Sequence, residues 1–247
     1  MNAKTKTVLI TGGSSGIGLD AARAFYARGA NVVLNGRNPE KLAAAAATFD
    51  DTSRVATVAG NVGEKKTGEE MVRTAVERFG SVDVLINNAG IFESKPFLDY
   101  TEDDLDRHLT GNLKGAFFTS QAAVAQMRKQ GGGVIINVGT VLVNHSMAGL
   151  PDAAPLVSKG GIHALTTNLA SELAQDNIRV NTIAPGVIRT PLYGDSDVDA
   201  FGGIALRNRV GEVQDTTDAI LYLAEADFVT GVTLNVDGGY VAGRPAA

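Results

Sequence analysis

The feature that most constrains this chain is an alternation of short Val/Ile/Leu-rich runs with longer stretches of helical periodicity. The runs are "TVLIT" (7–11), "NVVLN" (31–35), "RVATVAG" (54–60), "DVLINNAG" (83–90), "GVIINVG" (133–139), "IRVNTIAPG" (178–186) and "GVTLNVDGG" (231–239). Compact apolar runs of this kind predict strands buried on both faces, as in a parallel sheet covered by helices. Between them, "IGLDAARAFYARG" sets Ile17, Ala21, Ala24, Phe25 and Ala27 along one helical face and stops at Gly29. "PEKLAAAAATF" opens on Pro39, where a missing N–H costs little, and "TEDDLDRHL" pairs Thr101 with Asp104 in a capping-box spacing. No linker, low-complexity tract or repeat breaks the rhythm. The 247 residues, 44% of them hydrophobic, therefore predict one α/β domain over 1–247, a doubly wound parallel sheet of about seven strands flanked by helices.

Composition excludes several functions. With 22 basic and 27 acidic residues the net charge is −5, and no basic stripe stands out, so no nucleic-acid partner is expected. Cysteine is absent, which removes disulfides and thiolate metal sites; no metal site is expected. The N-terminus runs straight into a strand pattern, and no stretch reaches the apolar length needed to span a bilayer. These features lead us to expect a soluble, cytoplasmic protein without a membrane partner.

The segment "TGGSSGIG" (11–18) leaves the first strand and opens the first helix. Gly12, Gly16 and Gly18 stand in a G-x-x-x-G-x-G spacing, a variant of the Rossmann-like dinucleotide fingerprint. A tight turn, close backbone approach to a pyrophosphate and a helix N-terminus all fit this placement. The candidate phosphate contacts are Gly12, Ser14, Ser15, Gly16, Ile17 and Gly18. The second strand ends in Asn35, Gly36 and Arg37 rather than in the carboxylate that would hold adenosine ribose hydroxyls. Nothing there repels a 2′-phosphate and the Arg37 guanidinium can fork onto one, so NADP is expected over NAD.

Taken together, "TGGSSGIG", "NNAG" (87–90), Asn112 in "GNLKGAFF", "SKGG" (158–161), "VNTIAPG" (180–186) and "FVTGVTLNVDGGY" (228–240) resemble the short-chain dehydrogenase/reductase family. The resemblance runs in order over nearly the whole chain. It implies hydride transfer between NAD(P)H and a carbonyl or alcohol carbon of a small-molecule substrate, commonly in a homotetramer. It implies that Asn88, Ala89 and Gly90 lie against the adenosine side of the cofactor and that Asn61 and Val62 contact adenine. Pro185, Gly186, Val187 and Ile188 would pass by the nicotinamide, with Thr190 reaching its carboxamide. Asn112 would hold a water of the proton relay, and Thr140 falls on the position of the catalytic serine, keeping its hydroxyl.

Lys159 matches the family lysine that bonds the nicotinamide ribose and lowers the pKa of a catalytic tyrosine four residues before it. That position is Pro155. None of the five tyrosines, Tyr26, Tyr100, Tyr193, Tyr222 and Tyr240, has a lysine four residues on, so the phenol is absent rather than displaced. Three sources of a proton remain open: His145 on the loop after the fifth strand, Tyr193 on the segment that forms the family's substrate lid, or Thr140 with Lys159 and a water on Asn112. The candidate catalytic set is Thr140, Lys159, Asn112 and His145. Two functional readings stay open. One is an NADPH-linked oxidoreductase acting on a small carbonyl or activated double bond. The other is an inactive dinucleotide-binding protein serving as sensor or partner subunit.

Overall fold

The computed structural model describes residues 6–243. Seven strands, β1 (Thr7–Ile10), β2 (Asn31–Gly36), β3 (Val55–Ala59), β4 (Val84–Asn87), β5 (Gly133–Val138), β6 (Ile178–Pro185) and β7 (Thr233–Val236), form one sheet in the order β3-β2-β1-β4-β5-β6-β7. Every neighbouring pair is parallel, with Leu9 opposite both Val33 and Leu85, and Ile135 opposite Val180. Seven helices flank it: α1 (Gly16–Ala27), α2 (Pro39–Ala46), α3 (Lys65–Phe79), α4 (Glu102–His108), α5 (Gly115–Gln130), α6 (Ala153–Glu172) and α7 (Val213–Glu225).

Successive strand side chains point to opposite faces, which splits the core in two. On one face Val8, Ile10, Val32, Leu34 and Ile86 pack against Phe25 of α1, Leu42 of α2 and Ile220 of α7. On the other, Leu9, Val33, Leu85 and Ile135 pack against Met71 of α3, Met127 of α5 and Ala170 of α6. Strands covered on both sides need no polar alternation, which is why the runs read as continuous apolar segments.

Local signals account for the helix starts. Asn38 caps α2 by accepting from Lys41 N, with Pro39 in the first turn. At α4, Thr101 Oγ1 accepts from Asp104 N at 3.2 Å while the Asp104 carboxylate accepts from Thr101 N at 3.0 Å, a reciprocal box. Between α4 and α5 the chain does not break. Residues Leu109–Lys114 make a π-helical turn that joins the two. Among the described residues no helix is long and apolar enough to cross a membrane.

Candidate active site at the sheet's switch point

The chain leaves β1 toward β2 on one side, while β4 takes up the other side. Such a reversal opens a crevice beyond the carboxyl ends of the strands, where ligands of doubly wound sheets bind. Thr11 and Asn88 tie its two walls together. Thr11 Oγ1 accepts from the amides of Asn88 and Ala89, and Asn88 Nδ2 donates to the carbonyls of Thr11 and Gly12 at 3.0 and 3.1 Å.

That stitching explains two of the glycines. Gly12 has φ +64°, and a Cβ there would sit 2.8 Å from Asn88 Nδ2; a Cβ on Gly18 would sit 2.4 Å from the Gly12 carbonyl oxygen. Ser15, at the N-cap of α1, makes no side-chain cap, so the first-turn amides of Gly16, Ile17 and Gly18 lack a capping oxygen. An uncapped helix N-terminus behind a glycine turn suits a phosphate, because its N–H groups and dipole both favour negative charge. A nicotinamide dinucleotide therefore fits: the glycines let the turn pack tightly against Asn88, and the uncapped N–H groups behind it can receive a pyrophosphate. Thr190 and Pro191 face this loop across Gly16.

At the end of β2, Ser14 abuts Gly36, whose Cβ would lie 3.3 Å from Ser14 Oγ. Asn35 is buried, its amide donating to the carbonyls of Val58 and Gly60. Arg37 is exposed, with no ion pair or hydrogen bond among the described residues. Asn61 is exposed, and its Oδ1 accepts from Gly63 N at 3.1 Å. Val62 is buried against Gly115. Pro185 ends β6, Gly186 N donates to Val236 O, and Val187 is half-buried. Ile17 packs its side chain against the core, and Ile188 is buried over Gly211.

The chemistry-bearing side chains converge at the end of β5. Lys159 is buried on α6, and its ammonium donates to Val138 O at 2.6 Å. Burial alone pushes its pKa down to about 8. Asn112, on the π turn, is locked on both sides: its Oδ1 accepts from Ile91 N at 2.7 Å, and its Nδ2 donates to Ile91 O and Ser158 Oγ. Gly90 closes the triangle, since a Cβ there would lie 2.9 Å from Asn112 Oδ1 and 3.4 Å from Lys159 Nζ. Thr140, also buried, follows two residues after Val138, and its hydroxyl accepts from Leu142 N at 3.3 Å.

Pro155 is buried in the first turn of α6, where no N–H is needed. His145 stands apart from the cluster: its ring is exposed and lies edge-on to Tyr240 at 5.2 Å between centroids. Tyr193 is half-buried, with burial first and the negative charge of Asp152 second raising its pKa.

Three features escape sequence inspection. His163, one turn beyond Lys159, has a buried Nε2 with no hydrogen-bond partner, and a Cβ on Gly139 would lie 2.4 Å from it. Burial and then the Lys159 charge lower its pKa. His108 is wholly buried, its Nδ1 2.8 Å from the Asp104 carbonyl oxygen. Asp152 is buried beside Ser94. A carboxylate three residues before Pro155 was the one available signal.

The model for the short chain dehydrogenase family matches residues 6–199. The chain belongs to the short-chain dehydrogenase/reductase family. This family member is 36% identical over 247 residues to 3alpha-hydroxysteroid dehydrogenase of Mediterraneibacter gnavus, covering 96% of this chain and 98% of the relative. Its fold superposes on a short-chain type dehydrogenase/reductase from Mycobacterium marinum with TM-score 0.91, at 31% identity and 96% coverage of each chain. It also superposes on ElxO with NADP bound, with TM-score 0.90 at 28% identity, covering 97% of this chain and 100% of that one. As a short-chain dehydrogenase/reductase, the chain is built on the oxidoreductase scaffold of these proteins.

Proposed function

We propose that this chain is an NADPH-linked oxidoreductase acting on a small carbonyl compound or activated double bond. The observation that carries this reading is the Lys159–Asn112–Gly90 triangle, in which a buried ammonium and an amide with both N–H donors committed face a glycine too crowded for any side chain. A protein that only bound the dinucleotide would have little need to keep an ammonium buried there. When bound, NADPH supplies the hydride, and NAD is the weaker alternative.

In this reading Gly12, Ser14, Ser15, Gly16, Ile17 and Gly18 receive the pyrophosphate through main-chain N–H groups, and Arg37 takes the 2′-phosphate. Asn61, Val62, Asn88, Ala89 and Gly90 flank the adenosine half; Pro185, Gly186, Val187, Ile188 and Thr190 line the nicotinamide half. Lys159 turns from Val138 O to a ribose hydroxyl. Thr140 donates a hydrogen bond to the substrate oxygen, and the lone pair left on Asn112 Oδ1 holds a water beside Lys159. His145 would have to swing off Tyr240 to take part. The NADP-bound ElxO structure supports a nicotinamide dinucleotide as the ligand. We further propose one dinucleotide-binding domain, a homotetramer and a cytoplasmic location.

Pro155 favours a second reading, an inactive dinucleotide-binding subunit, because the ring offers no proton. Fluorescence titration with NADPH and then NADPH oxidation with benzaldehyde, cyclohexanone and cyclohexenone separate the two. Binding with turnover is expected; binding without turnover selects the second reading, and no binding removes both.

A further inference from the structure

Asp152 occupies the N-cap position of α6, yet its carboxyl caps nothing. The residue is only 4% exposed. Ser94, on the loop after β4, donates its hydroxyl to Asp152 Oδ1. Among the described residues no Lys, Arg or His pairs with this carboxyl, and no protein group donates to Oδ2. A largely buried carboxyl with no cationic partner favours its protonated form, and Oδ2 is not among the fully buried unpartnered atoms of the described residues.

Its place on the helix matters. Asp152 precedes Lys159 by seven residues, about two turns, which returns it to within roughly 20° of the same helix face. It precedes Pro155, which has nothing to donate, by three. The groups facing it are otherwise engaged. The Lys95 ammonium pairs with Asp104, the Glu93 carboxylate pairs with Arg107, and Tyr100 OH donates to the carbonyls of Glu93 and Pro151. Tyr193 is the remaining donor nearby, a phenol already weakened as an acid by burial and by Asp152 itself.

We propose that Asp152, oriented by Ser94, is the side chain that gives the substrate oxygen its proton. The assignment rests on the oxidoreductase reading above. As the substrate carbon gains a hydride from the reduced dinucleotide, the C=O π pair moves onto oxygen. That oxygen takes the proton from the Asp152 carboxyl, the O–H bond electrons stay on the carboxylate, and Ser94 O–H holds the charge until solvent returns a proton. Burial raises the Asp152 pKa, which moves the acid toward the range where a donor works best near neutral pH.

The test uses the full chain with NADPH and three probes, benzaldehyde, cyclohexanone and cyclohexenone, in wild type, D152N, D152E, S94A and Y193F. D152N is expected to bind NADPH within about twofold of wild type, by fluorescence, while kcat for benzaldehyde falls about 100-fold. D152E should recover much of the loss and S94A should show part of it. Wild-type kcat should decline as pH rises through a carboxyl pKa above the usual range, a limb that D152N lacks. Unfolding supplies a readout independent of turnover. A carboxyl whose pKa is raised by folding contributes stability at low pH that is lost as pH climbs through the folded value, and D152N should lose that dependence. Turnover by D152N within about threefold of wild type, or a loss confined to Y193F, overturns the assignment while leaving the oxidoreductase reading standing. A wild type that binds NADPH and reduces none of the probes overturns that reading and this assignment with it.

Discussion

The Lys159 ammonium reaches across from α6 to donate to the carbonyl oxygen of Val138, the last residue of β5, at 2.6 Å. One hydrogen bond thus fixes the helix that carries Lys159 to the strand end that leads into Thr140. It does so with a charge taken out of water, and that burial should be visible in stability.

Folding lowers the Lys159 pKa to about 8 from the model-peptide 10.5. Between those values the unfolded chain binds more protons than the folded one, so this group makes stability rise with pH from about 8 upward. The full excursion is on the order of 3 kcal/mol. Urea unfolding of the unliganded protein at pH 7 to 10 should show the rise, and Lys159→Met should flatten it.

The glycines of the site should respond in opposite directions. Gly18→Ala drives a methyl to within 2.4 Å of the Gly12 carbonyl, and should cost about 1–3 kcal/mol and abolish detectable NADPH binding. Gly160→Ala, in the interior of α6, meets nothing nearer than Val143 Cγ1 at 3.9 Å. It should raise stability by about 0.5–1 kcal/mol through helix propensity. Thermal unfolding of the two variants checks both signs.

Arg37 is exposed, makes no ion pair or hydrogen bond among the described residues, and directly follows Gly36 at the end of β2. Hydrogen bonds between charged groups contribute about 1.5–3 kcal/mol. Arg37→Ala should therefore weaken NADPH binding by roughly 10- to 150-fold and leave NADH within about twofold. Equal losses for both dinucleotides would remove the 2′-phosphate role.

Pro155→Tyr replaces a buried ring in a helical turn that needs no N–H, so the backbone should accept it at a cost of about 0.5–1 kcal/mol. With Asp152 already donating in wild type, carbonyl reduction should rise there by no more than about tenfold. Introduced alongside Asp152→Asn, the same change should restore turnover. No rise in either background would mean that the site has diverged beyond its missing phenol.

Much of this molecule is legible in its residue order because the signals are local. Seven apolar runs become seven strands since burial on both faces leaves no alternation to misread, and Thr101 with Asp104 marks the start of α4 through its own capping groups. The glycine turn before α1 is equally local. The π turn at Leu109–Lys114 is not. Asn112 sits on it and bonds to Ile91 and Ser158, residues brought there by β4 and α6.

The same holds for the charges. The sequence by itself determined the apolar runs that become strands, the glycine turn before α1, and the placing of Pro155 four residues before Lys159, all carried by spacing along one segment. Only the tertiary structure decided that Lys159 is desolvated against Val138, that His145 turns outward to Tyr240, and that Asp152 is held by Ser94 from the loop after β4. Burial is set by what packs across from a residue, and those partners lie tens of positions away in the chain.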